Sequence, residues 1–140
     1  MKKMGESSEN EKDIGHHIGI VLYRLPKKNH DAMVSISKPF NEFFKKYGVL
    51  HWEVFQLDSS RTMEPFTNIS KTVSATEDEE LWIELFTFND GKHRDEVMTK
   101  MEQMQGDKSC EEIFKQFMNL ISPGSSVVTG DFGSIKGLGF

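Results

Sequence analysis

Residues 81–88, Leu-Trp-Ile-Glu-Leu-Phe-Thr-Phe, constrain the fold more than any other stretch of the chain. They are rich in β-formers and are bounded by Glu77-Asp78-Glu79-Glu80 before and Asn89-Asp90-Gly91 after, so they read as a central strand. Alternate residues of a strand point to opposite faces. Leu81, Ile83 and Leu85 therefore form one aliphatic face, and Trp82, Glu84, Phe86 and Phe88 a second that is also mostly apolar. Both faces call for cover. The chain's own helices can supply one cover, but in 140 residues few elements remain for the other, which points to a second subunit.

Charge and hydropathy narrow the classes of partner. With 17 basic and 22 acidic residues the net charge is -5, and no Lys/Arg cluster is dense enough to track a phosphate backbone, so nucleic acid is not expected. No apolar run approaches the ~20 residues of a membrane span, and the first residues are polar where a signal peptide is apolar. The expectation is a soluble, cytoplasmic protein without a membrane partner. Cys110 has no second cysteine to bond and cannot build a cysteine zinc site; it reads as a small filler on a helix.

Three regions follow from the pattern: a polar leader over 1–15 with too few apolar residues to order it, a folded domain over 16–136, and a short tail over 137–140. Within the domain, 17–25 reads as a buried strand stopped by Pro26. Asn29 is placed to cap a helix in which Ala32, Met33, Ile36, Phe40, Phe43, Phe44 and Tyr47 recur at steps of three and four. Pro39 is expected to kink or split that helix, and Gly48 to end it. Residues 49–57 form a second strand, with His51, Glu53 and Phe55 on one face and Trp52 and Val54 on the other. A loop over 58–68 leads to a short strand over 71–76, and then to the central strand.

Asp90 can cap a further helix with Val97, Met98, Met101 and Met104 on one face and Gly106 at its end; the Met stripe reads as core. Ser109 and Glu112 have capping-box spacing ahead of a helix bearing Ile113, Phe114, Phe117, Leu120 and Ile121, and 126–135 reads as the last strand. Strand, helix, strand, strand, helical region, strand is the split βαβ order of a ferredoxin-like α+β fold with an antiparallel sheet. Both helical layers of that fold cover one face of the sheet. The open face is expected to carry Trp82, Phe86, Phe88 and Phe55, and to be closed by a second sheet in a homodimer.

The chain resembles the YbaA-like proteins, domain-of-unknown-function family 1428 of the dimeric α/β-barrel superfamily. The resemblance rests on Phe44-Lys45 with Gly48 and Leu50, Val73 and Ala75, Arg94-Asp95 with Lys100-Met101, and Gly130 with Phe132 and Ile135. It implies a barrel formed by two ferredoxin-like subunits and implies no activity. The chain departs from that pattern at Asp131, where a glycine is usual, at Thr129, where an aromatic is usual, and in the position of Pro39.

His51 and Glu53 share a strand face, and Glu84 interrupts an otherwise apolar strand. Together they are candidates for an acid–base or binding group in a small-molecule pocket also lined by Tyr23, Trp82 and Phe86. The alternative is that these polar groups pair with one another, or with Arg24, across a fully packed interface of a purely structural homodimer. Metal ligation by His51 and Glu53 lacks a third ligand, and no cofactor is identified. Trp82 and His93 are similar in placement to aromatic and histidine residues of haem-degrading and cofactor-independent oxygenases, but the first strand lacks an Asn to complete that set. Arg94 and Asp95 read as structural, Asp95 at a helix N-terminus and Arg94 reaching a sheet edge or a partner chain. His16 and His17 have no nameable partners.

Overall fold

The computed structural model describes residues 16–103, 108–124 and 127–138. The expected leader over 1–15, Met104, Gly106 and the last two residues of the tail lie outside them. Four strands, β1 (His17–Pro26), β2 (His51–Gln56), β3 (Glu79–Phe88) and β4 (Val128–Gly133), form one antiparallel sheet in the order β2-β3-β1-β4. With α1 (His30–Lys46), α3 (Gly91–Gln103) and α4 (Lys108–Leu120) as its helical layer, this is the ferredoxin-like α+β fold. The stretch 81–88 lies inside β3, and β3 is flanked by β1 and β2 as a central strand must be.

The helices sit on the face opposite to the one expected. Trp82, Glu84, Phe86 and Phe88 are all buried beneath the chain's own helices, while Ile83 and Leu85 point to the open face and are only partly covered. The physical reason is volume: two helical layers with large aromatics of their own offer depth for Trp and Phe side chains, whereas Ile and Leu make the flatter surface. Pairing carries the same parity across the sheet. Tyr23 and Trp52, whose partners are Trp82 and Phe86, lie on the helix side; Ile20, Glu53 and Phe132 lie on the open side.

Helix α1 runs through Pro39 as one element, with Met33 fully buried at its start and Tyr47 packed at its end. Gly48 follows at φ 101°, a left-handed conformation that turns the chain into β2. Asn29 precedes α1 without capping it through its side chain; its amide donates instead to the carbonyl of Leu120, closing the C-terminal end of α4. Asp90 does cap α3, its carboxylate accepting from the His93 backbone N–H at 2.7 Å. Ser109 lies within helix α4 rather than before it.

The short strand expected over 71–76 is a single helical turn, α2 (Ile69–Thr72). Asn68 decides this locally: its Oδ1 accepts from the backbone N–H and hydroxyl of Ser70, a cap that favours a turn over an extended chain. The segment between β2 and β3 then folds toward the open face, where Arg24 donates to the Ser74 carbonyl and pairs with Glu79 at 3.2 Å. Arg94, as expected, reaches an edge strand: its Nη1 pairs with Asp131 of β4, tying α3 to the sheet.

The core is in two parts. Tyr23, Leu25, Met33, Trp82, Phe117 and Ile121 form one cluster; Tyr47, Val49, Phe86, Phe88 and Val97 form the other, and Val21 touches both. Along β3 the residue between the two clusters is Glu84.

Candidate functional site

Glu84 is 6% exposed and stands opposite Val21 of β1 and Val54 of β2, two neighbours that offer it nothing polar. Its hydrogen bonds come from the diagonal positions, where side chains two residues along the adjacent strands remain within reach. Tyr23 Oη donates to Oε2 at 2.7 Å from one side, and Trp52 Nε1 donates to Oε1 at 3.0 Å from the other. Burial pushes the Glu84 carboxyl above its ordinary range, and the two donors offset part of that shift. Tyr23 is raised as well, by burial first and then by the neighbouring carboxylate, so it remains the protonated donor of the pair. Among the described residues no Lys, Arg or His forms an ion pair with Glu84.

Above Glu84 the two core clusters part and leave a cavity of about 560 Å³. Val21, Glu84 and Phe86 form its floor on the sheet. Pro39, Phe40, Phe43 and Phe44 of α1 make one wall; Cys110, Glu111, Ile113, Phe114 and Phe117 of α4 make the other, with Met101 of α3 at the end. Ring contacts stiffen the floor and walls: Phe44 meets Phe86 edge-on at 4.8 Å and Trp52 at 5.4 Å, and Phe117 meets Tyr23 edge-on at 4.9 Å. Glu84 is buried at the bottom, Glu111 is exposed, and Phe114 at 62% exposure stands at the mouth.

Of the six residues expected to share a pocket, Glu84 and Phe86 line the cavity; Tyr23, also on the helix side, reaches it only through its hydrogen bond to Glu84, and Trp82 lines a separate cleft with His30 and Trp52. His51 and Glu53 do not join them. Their register places them on the open face, where they pair with each other at 3.0 Å and are both more than half exposed. The expectation that Glu84 would accompany them fails because Glu84 and Glu53 occupy opposite faces: Glu53 stands opposite Leu85, one residue on from Glu84. Trp82 and His93 do not converge either. Trp82 Nε1 donates to Glu80 and its ring meets His30 at 5.4 Å, whereas His93 packs on Phe88 and accepts from the Asn89 backbone N–H. Hydrogen bonding to Glu80 at 2.7 Å raises the His30 imidazole above its usual value. Among the described residues no group of three or more His, Cys, Asp or Glu is placed to hold a metal ion, and no helix is long and apolar enough to cross a membrane.

Periodicity marks Trp52 only as one face of its strand and the helix walls only as faces of amphipathic helices. The signal that could have set Trp52 apart is its diagonal position to Glu84, which requires the strand register. A gap between two well-formed amphipathic helices leaves no mark in either helix's own pattern.

The sequence profile of a family described as "Protein of unknown function (DUF1428)" matches residues 16–118. The chain belongs to this family. Among solved structures it is similar to protein Atu4242 from Agrobacterium tumefaciens, at 12% identity and a TM-score of 0.52, covering 86% of this chain and 95% of that one. A second structure, of a nipsnap family protein with unknown function (atu4242) from A. tumefaciens strain C58, matches at 13% identity over 87% and 92% of the two chains, with a TM-score of 0.45. At such identities the likeness concerns the fold alone. No curated protein matches the chain.

Proposed function

We propose that this DUF1428 protein binds an apolar small molecule in the cavity between the helices and the sheet, and does so as a homodimer. The observation that carries the reading is the buried carboxylate of Glu84 at the floor of a cavity walled mostly by aromatic and aliphatic side chains. A volume of about 560 Å³ is within the range of sites for small ligands. An apolar pocket with one placed polar group is the usual form of such a site, and a strand of this kind could have been filled with Leu or Phe at lower cost to stability. The rival reading, a structural homodimer with a fully packed interior, is disfavoured by the same cavity.

The dimer is supported by the open face. Ile18, Ile20, Ile83, Leu85, Phe55 and Phe132 lie there together, Phe55 and Phe132 at 42% and 53% exposure, and the face is continuous across all four strands. Two such sheets meeting face to face would give the dimeric α/β barrel implied by the YbaA-like resemblance, with His51 and Glu53 at its rim.

Binding is tested with N-phenyl-1-naphthylamine, a neutral apolar fluorophore with one N–H donor. It is expected to brighten on adding the protein and to lose that response in Ile113→Trp, which fills the cavity from α4 while leaving Glu84 in place. No brightening with the unaltered protein, or equal brightening with Ile113→Trp, would overturn the reading.

A further inference from the structure

The proposed pocket has a one-sided chemistry. Among the described residues, six phenylalanines from α1, β3 and α4 line it, together with Glu84 at the floor and Glu111 on α4, and no Lys, Arg or His does. An anionic ligand would meet two carboxylates and no counter-charge. A neutral one would leave the buried Glu84 carboxylate without a counter-charge.

Resting on the reading of the cavity as a binding site, we propose that its ligand is an organic monocation: a primary or secondary ammonium group carried on an aryl or alkyl body. Each carboxylate oxygen of Glu84 accepts one hydrogen bond from the protein, Oε2 from Tyr23 and Oε1 from Trp52, and each keeps a lone pair. An ammonium N–H can use those lone pairs, forming charge-assisted bonds to a carboxylate that is itself 6% exposed. It would also supply the counter-charge that no described residue gives Glu84. The aromatic walls suit the same guest, because the faces of phenylalanine rings attract a cation while their bulk buries its apolar body. Glu111, exposed on α4, adds a field of the same sign on the approach.

The test uses three probes of matched size and shape on the full chain: 4-phenylbutylamine, 4-phenyl-1-butanol and 4-phenylbutyrate. Each is titrated by calorimetry and by displacement of N-phenyl-1-naphthylamine. The amine is expected to bind at least about tenfold tighter than the alcohol, with the acid weakest. Glu84→Gln is expected to bring the amine down to the affinity of the alcohol. Equal affinities, or the acid binding tightest, would overturn the cation inference while the cavity stood as an apolar site. Failure of all three probes and of the fluorophore would overturn the binding reading itself. The ranking on the unaltered protein decides the matter even if Glu84→Gln does not fold.

Discussion

At the scale of single residues, the chain's least economical choice is Glu84. Its burial favours the neutral form, and the donors Tyr23 and Trp52 favour the charged one; burial wins, so the folded carboxyl lies above its ordinary value of 4.5. The folded chain therefore holds more protons than the unfolded chain between 4.5 and that raised value, and the contribution of Glu84 to stability falls as pH rises through this interval. Tyr23→Phe removes one of the donors that make the charged form tolerable. It is expected to cost about 1 to 3 kcal/mol in urea unfolding at a pH above the raised value, where Glu84 is charged, and less at pH 4.5, below it. An equal cost at both pH values would mean that the tyrosine acts by packing alone.

At the scale of elements, helix α3 is tied to edge strand β4 by Arg94 and Asp131. Both side chains are partly solvated, at 26% and 41% exposure, so the pair is screened and its worth small. Asp131→Gly is expected to lower stability by no more than about 1 kcal/mol, and by less as salt is added, which thermal unfolding at two ionic strengths would read. A loss of several kcal/mol, independent of salt, would show that Asp131 holds the strand by its backbone and not by its charge. The helices themselves were legible in advance. Met33, Phe43 and Phe44 on α1 with Tyr47 just after it, and Phe117 on α4 with Ile121 just after it, fall where a period of 3.6 puts them. The turn at Ile69–Thr72 was not, because the alternation of 71–76 was read as pattern while the cap at Asn68 acts through one side chain.

For the whole molecule, the open face is the controlling feature. A homodimer formed there would bury more than roughly 2,000 Å² in total, the range of permanent assemblies. Phe132→Asp places a charge on that surface, on edge strand β4, while leaving the helix-side core untouched, since Phe132 is 53% exposed in the single chain. Sedimentation is expected to show the unaltered protein as a dimer and Phe132→Asp as a folded monomer or a much weaker dimer. A monomer for both proteins at micromolar concentration would remove the dimer proposal.

The alternating pattern of 81–88, the 3.6-residue period of the helices and the order of elements were enough to determine a central strand, an antiparallel sheet and a ferredoxin-like topology, because each depends on neighbours close along the chain. Which face of β3 meets the helices could not be read in this way. Both faces are apolar, and the choice turns on whether two helical layers have depth for Trp82, Phe86 and Phe88 or only for Leu and Ile. That choice set the site. It placed Glu84 between Tyr23 and Trp52 beneath the cavity and left His51 with Glu53 on the opposite side, since a strand assigns its side chains to faces by parity and only packing decides which face is inside.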